Sequence, residues 1–132
     1  MKKNVLLLIF LAIGTVIFMA SYRTKESSRP TPIALLTSHS WKFENAESLN
    51  NNCAYVINQI YANAQYNFTP THTYQGEFFE KPIQGTWQFE DEATLILNEG
   101  LMEERMEIAE LTEDILKVRV MEKGASVTLT YR

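Results

Sequence analysis

The sequence predicts an all-β protein: an eight-stranded antiparallel up-and-down barrel with a hydrophobic N-terminal helix in front of it. The first observation is that apolar and polar residues alternate in many short segments separated by turn residues, as in half-buried strands. The second is that the 132 residues include 2 Trp, 6 Tyr and 7 Phe, and aromatic side chains favour strands. The third is an uncharged run near the N-terminus, which sets that segment apart from the barrel.

Several segments show the alternation of a strand that faces the core on one side. The clearest is 83–90, in which Ile83, Trp87 and Phe89 share one face. The other alternating segments are 41–44, 66–68, 74–78, 116–120 and 127–131, and the apolar run 95–97 begins a further strand. Consecutive hairpins favour an up-and-down order, and closure removes the exposed edge strands of an aromatic-rich sheet.

Residues 101–111 fit either a helix or a strand. They are good helix formers, and Met102, Met106 and Ala109 would share one helical face. The segment also alternates, and its neighbours on both sides are strands with short turns, which favours the eighth strand. Glu104 would then point inward, and the outward positions would be Glu103, Arg105 and Glu107.

Residues 49–64 are the one stretch of the domain without clear alternation. Cys53, Val56, Ile57 and Ile60 have helical spacing. The segment is therefore either a short helix that covers one end of the sheet or an irregular loop.

Residues 1–22 are predicted to be an export signal. Lys2 and Lys3 precede an uncharged, mostly apolar run over 4–22, as in a secretory signal peptide. The run is nearly long enough to span a bilayer, so a cleaved signal peptide and an uncleaved anchor both remain open. Either one places the domain outside the cytoplasm, periplasmic or membrane-anchored. Residues 23–32 are polar and contain two prolines, so they are predicted to be a linker and the domain to span 33–132.

Several short motifs over residues 35–132 resemble those of small bacterial lipocalin-like domains. Leu35-Leu36 followed by Trp41 is similar to the opening strand of that family, with His39 where a glycine is usual. The remaining matches are Phe68 with Tyr74, Gly85-Thr86-Trp87, Leu95 with Leu97, the turn at 111–116, and the final Tyr131-Arg132. The resemblance implies an up-and-down barrel, an extracytoplasmic location and an apolar ligand cavity, and it does not imply an enzyme.

Residues expected to face the barrel interior are the candidate ligand-binding residues. They are aromatic or apolar and occupy inward positions of the predicted strands: Tyr66, Phe68, Tyr74, Phe78, Trp87, Phe89, Leu97, Met106 and Val118. The same side chains would also fill a solid core, because eight-stranded barrels either hold a small ligand or are packed.

Trp41 and Arg132 are expected to close the barrel at one end. Trp41 begins the first strand and Arg132 follows the last one. In a closed antiparallel barrel these positions are neighbours. The Arg132 guanidinium is therefore predicted to stack on the Trp41 indole.

No catalytic, metal or cofactor motif is present in the sequence. The formal net charge is -4 and the basic residues are scattered, which argues against nucleic acid as a partner. Cys53 is the only cysteine and is expected to be a small buried apolar residue. His39 and His72 are expected in solvated turns, with His72 at positive φ. We therefore expect no enzyme, no metal and no cofactor.

The expected function is a cell-envelope module that binds a small hydrophobic molecule in the barrel. The alternative is a non-catalytic structural or protein-interaction domain with a packed core. The membrane is a further partner if residues 1–22 remain uncleaved. An interior cavity above roughly 300 Å³ would favour ligand binding.

Overall fold

Eight strands and two short helices make up the structure, a computed structural model that describes residues 28–49, 51–122 and 124–132. In chain order they are α1 (Pro32–Leu36), β1 (Ser40–Ser48), α2 (Asn51–Tyr61), β2 (Gln65–Phe68), β3 (Thr73–Phe78), β4 (Lys81–Asp91), β5 (Thr94–Glu99), β6 (Met102–Leu111), β7 (Leu116–Glu122) and β8 (Ala125–Tyr131).

The strands form a closed antiparallel barrel in which sequence order is also spatial order. β1 completes the closure because its first residues pair with β2 and its later residues pair with β8. Register shifts in β1, β4 and β6 mark the irregularities that accompany strong bending. The predicted fold class, an eight-stranded antiparallel up-and-down barrel, is confirmed.

The ambiguous segments are resolved by the structure. Residues 101–111 are almost entirely strand, and the segment without alternation holds the helix α2. The apolar side of α2 uses Cys53, Ile57 and Ile60, whereas Val56 is exposed.

Helix α1 was not predicted, although its start has an ordinary sequence signal. Thr31 caps the helix by accepting a hydrogen bond from the Ala34 amide at 3.2 Å, and Pro32 occupies the first turn. The predicted N-terminal helix and export signal lie outside the described residues. Within the part of the chain that is described, no helix is long and apolar enough to cross a membrane.

One end of the barrel, called the floor below, is sealed by Trp41 and α1. The indole of Trp41 is fully buried and donates through Nε1 to the Leu36 carbonyl at 2.8 Å. The His39 ring lies on it, with a centroid separation of 4.1 Å.

Trp41 and Arg132 do lie at the same end, since the Arg132 backbone exchanges hydrogen bonds of 2.7 and 2.8 Å with Lys42. The expected stacking of Arg132 on Trp41 is not formed. The exposed guanidinium instead pairs with Glu44 at 2.7 Å, because an outward carboxylate on β1 is within its reach.

The opposite end, called the mouth below, carries α2 and the hairpin turns after β3, β5 and β7. Between floor and mouth the lower barrel is packed. Its most buried side chains include Trp87, Leu95, Val118 and Leu129. The Trp87 indole donates to the Thr69 carbonyl at 3.0 Å, so this polar group is satisfied without solvent.

Candidate functional site

A cavity of about 350 Å³ opens at the mouth. One side is an aromatic wall, defined here as Tyr61, Tyr66, Tyr74 and Phe78. Three apolar side chains continue the lining, namely Ile83, Leu97 and Met102. The remaining lining residues are four glutamates: Glu99, Glu103, Glu104 and Glu122. The cavity therefore combines an apolar surface with carboxylates.

The aromatic wall is held by contacts between its rings. Tyr61 and Phe78 meet edge to face with centroids 5.0 Å apart, and Tyr66 lies 6.1 Å from Tyr74. Behind the wall, Tyr131 packs edge-on against Tyr66 at 5.7 Å. Such edge-to-face pairs add to the stabilisation from burial, and they fix the ring positions before any ligand arrives.

Two glycines make room for the tyrosines of the wall. Gly76 pairs with Tyr66 across β2 and β3, and Gly85 pairs with Tyr74 across β3 and β4. A Cβ added at Gly85 would lie 2.0 Å from the Asn98 carbonyl oxygen and 2.9 Å from the Tyr74 ring. A side chain at Gly85 would therefore displace both the strand and the ring.

Helix α2 is fastened at the mouth by two polar contacts in its C-terminal half. Asn58 bonds to both backbone groups of Ala46 in β1, accepting from its amide at 2.8 Å and donating to its carbonyl at 3.1 Å. At the end of the helix, the Tyr61 hydroxyl donates to Glu122 at 3.1 Å. The first contact fixes the helix to the barrel, and the second ties it to the end of β7.

Glu104 is the carboxylate nearest the interior. It lies on the inner side of β6 opposite Leu97 of β5, which confirms the inward position predicted from the alternation. Burial raises the pKa of Glu104, and the charges of Glu122 and Glu99 raise it further. A carboxylate here is disfavoured both by lost hydration and by like charges.

The tyrosines near Glu104 stay neutral over the physiological range. Burial, with the neighbouring carboxylates, raises the pKa of Tyr74 to about 12 and those of Tyr61 and Tyr66 further. The Tyr131 hydroxyl lies beside that of Tyr66. It is fully buried, and burial raises the pKa of Tyr131 well above its ordinary value.

Four of the predicted ligand-binding residues line the cavity: Tyr66, Tyr74, Phe78 and Leu97. The other five are not part of its lining, and they belong to the packed lower barrel or pack against it: Phe68, Trp87, Phe89, Met106 and Val118. The barrel interior is thus divided into a packed lower part and an open upper part. The sequence alone had left open whether the interior holds a cavity or is packed.

Sequence reasoning missed Tyr61, Ile83, Met102, Glu99 and Glu122 as lining residues, and it placed Glu103, which also lines the cavity, on the outer face. Tyr61 ends the helix that showed no alternation, and Glu99 and Glu122 end strands β5 and β7. The up-and-down order could have predicted these lining residues, because it brings α2 and the ends of β3, β5 and β7 to the same end of the barrel.

The histidines and the cysteine lie away from the cavity. The His39 ring contacts two backbone carbonyls, those of Ser40 at 2.9 Å and Glu113 at 2.8 Å. His72 has φ of 63°, as predicted, and its ring contacts the Trp87 carbonyl. Cys53 is half-buried against the core. The described residues contain no group of three or more His, Cys, Asp or Glu placed to hold a metal ion.

Comparison with known proteins supports the fold. No protein-family model matches the chain, and no curated protein matches it. Among solved structures, the chain is similar to a DUF4847 family protein from Bacteroides vulgatus ATCC 8482, with a TM-score of 0.52 and 12% sequence identity. The similarity covers 73% of this chain and 92% of that one. At this identity the likeness shows the fold alone, a small β-barrel domain.

Proposed function

We propose that this protein is a non-catalytic, lipocalin-like binding module that takes a small, largely apolar molecule into the cavity at its mouth. The observation that carries the proposal is the cavity itself, whose volume of about 350 Å³ lies within the roughly 300–1,000 Å³ range of small-molecule sites. Its walls are mostly aromatic and aliphatic, as in such sites. The pre-packed rings mean that binding requires little reordering of the protein.

The proposal includes a location in the cell envelope, outside the cytoplasm, through an export signal or anchor in residues 1–22. α1 lies at the floor, where Leu36 meets Trp41. A tether through the N-terminus would therefore join the barrel at the floor, the end opposite the mouth.

A fluorescence titration tests the binding function. N-phenyl-1-naphthylamine, a neutral dye that brightens in apolar surroundings, is added to residues 28–132 and to two variants. Ile83→Trp adds bulk to the half-buried lining, whereas Leu101→Ser changes a fully exposed side chain beside the mouth. We expect saturable binding with one site, weakened about tenfold or more by Ile83→Trp, a loss near 1.4 kcal/mol, and unchanged by Leu101→Ser.

A second candidate function is protein interaction through the mouth surface. Phe79, Leu101, Met102 and Met121 are exposed at the mouth, and clustered exposed apolar residues often mark contact sites. Dye binding that is lost in Leu101→Ser and retained in Ile83→Trp would favour this candidate. Absence of saturable binding would contradict the cavity proposal.

A further inference from the structure

The charges that line the cavity all have one sign. Glu99, Glu104 and Glu122 reach it from β5, β6 and β7, and none of the three forms an ion pair with a described residue. No lysine, arginine or histidine belongs to the lining over residues 28–49, 51–122 and 124–132. The fourth glutamate, Glu103, is held by Arg105 at 3.2 Å.

On the outer surface of β6, by contrast, the acidic side chains have basic partners. On the outside of β6, Glu107 pairs with Arg119 at 2.6 Å and Glu110 pairs with Lys117 at 3.5 Å. The outward acids of this strand thus have basic partners within the protein, whereas the inward acid Glu104 has only like charges and phenols around it. Among the acids of β5, β6 and β7, those without a basic partner are the three that line the cavity, Glu99, Glu104 and Glu122.

The remaining groups around the cavity also favour a positive charge. Aromatic faces are negative at their centres and attract cations, by about 0.5–2 kcal/mol for each good contact, and the aromatic wall supplies four rings.

A bare metal ion does not fit these surroundings. Hard cations such as calcium take six to eight oxygen ligands at about 2.3–2.6 Å. The described residues hold no group placed for metal binding, and aromatic and aliphatic side chains make up most of the lining. The chemistry matches a positive charge that carries apolar substituents.

We propose that the cavity binds an organic cation, a protonated amine or a quaternary ammonium group with apolar substituents, and that Glu104 is its principal counter-charge. This inference rests on the proposed binding function and specifies its ligand class. The cationic group lies among Glu104, Glu99 and Glu122, and the apolar part contacts the aromatic wall and Met102.

Three probes with one apolar body and different charges test the inference. 4-Phenylbutylamine is cationic, 4-phenylbutanol is neutral and 4-phenylbutyrate is anionic at pH 8. Their affinities are measured by displacement of N-phenyl-1-naphthylamine at low salt, because salt screens the attraction. We expect the amine to bind about tenfold or more tightly than the alcohol, a difference of 1.4 kcal/mol, and the carboxylate to bind most weakly.

Two variants test whether the preference for the amine depends on Glu104. Glu104→Gln keeps the shape of the side chain and removes its charge, and we expect it to abolish most of the preference for the amine over the alcohol. Glu107→Gln removes the same charge from the outer face of the same strand, where it breaks only an exposed ion pair. The preference should survive in this control.

The outcomes separate the inference from the binding function. Equal binding of the three probes, or an equal loss of preference in both variants, overturns the organic-cation inference and leaves a neutral apolar ligand. If neither the dye nor any of the three probes binds, the binding function itself fails. Preference for the amine that depends on Glu104 and not on Glu107 supports both.

Discussion

Glu104 lies where most inward neighbours are apolar or aromatic, with Leu97 directly opposite it on β5. The charged groups that face it are Glu99 on β5 and Glu122 on β7, and the phenols are Tyr61, Tyr66, Tyr74 and Tyr131 from α2, β2, β3 and β8. These surroundings favour the protonated form of Glu104 in the folded barrel and raise its pKa.

This environment predicts a pH-dependent stability. Because the folded pKa of Glu104 lies above its ordinary value of 4.5, the folded state binds more protons than the unfolded state above that pH. The free energy of unfolding should therefore fall as pH rises from about 4.5 through the folded pKa. Glu104→Gln cannot ionise at this position, so it should not show this fall in unfolding free energy. The melting temperature of the variant should therefore rise relative to that of the wild type as pH increases from 4 to 8.

Thermal melts followed by circular dichroism over that range measure the difference, with Glu107→Gln as the control. An identical pH dependence in the wild type and Glu104→Gln would contradict the placement of Glu104. The tyrosines do not contribute to the pH dependence of stability in this range, because their raised pKa values place their titration far above pH 8.

Trp41 provides a second prediction at the scale of one residue. Its side chain is completely buried at the floor and bonds to the Leu36 carbonyl. Truncation to alanine leaves a large cavity and should cost about 3–5 kcal/mol of unfolding free energy. Urea denaturation of Trp41→Ala measures the loss, and an unchanged transition midpoint would show that the floor is not closed by this residue.

Among the elements, the β3–β4 hairpin has an unusual turn. Its two central residues, Phe79 and Glu80, have φ of 53° and 61°, whereas two-residue turns with positive φ at both positions favour Asn-Gly. A non-glycine residue in this left-handed region costs roughly 1–2 kcal/mol. Phe79 is also exposed at the mouth, so a strained turn displays an apolar ring beside the cavity.

Replacing this dipeptide with Asn-Gly should relieve the strain. We expect the double substitution Phe79→Asn, Glu80→Gly to raise the free energy of unfolding by about 1–2 kcal/mol. Equilibrium denaturation of the variant against the wild type measures the gain. A loss of stability would mean that the exposed Phe79 ring makes a stabilising contact that outweighs the strain of the turn.

The attachment of α2 through Asn58 predicts that removing this side chain lowers the free energy of unfolding. In Asn58→Ala the amide and carbonyl of Ala46 lose their partner, and a partly buried unsatisfied backbone group costs about 1–3 kcal/mol. Gln59→Ala, at the exposed next position, should be nearly neutral by the same denaturation measurement. Equal effects of the two substitutions would mean that α2 is not fixed to β1 by Asn58.

Most strands were predictable from sequence because one face is buried, and a period of two follows from that, whereas β5 buries the consecutive residues Leu95, Ile96 and Leu97. β6 illustrates the limit, since its helix-forming composition is overridden by pairing with β5 and β7 on both sides. α1 and the Arg132–Glu44 pair were not predictable in this way, because a five-residue helix has too few residues for periodicity and an exposed guanidinium has several acids within reach.

At the scale of the whole molecule, the barrel is asymmetric along its axis. The lower part is filled by large side chains such as Trp87, Leu95 and Leu129, whereas in the upper part Gly76 of β3 and Gly85 of β4 lie opposite the wall tyrosines. Inward aromatic residues alone do not distinguish the two parts in the sequence. The division depends on where the glycines fall opposite the tyrosines and on the helix that covers the mouth.

The central claim is that a small molecule enters the upper barrel and no other part of the protein. Methyl NMR of residues 28–132 during titration with 4-phenylbutylamine tests this claim most directly. The account predicts saturable shifts of the Ile83, Leu97 and Met102 methyl signals, with those of Val118 and Leu129 unchanged. Shifts limited to the exposed Leu101, shifts spread over the packed lower barrel, or no shifts at all would contradict it.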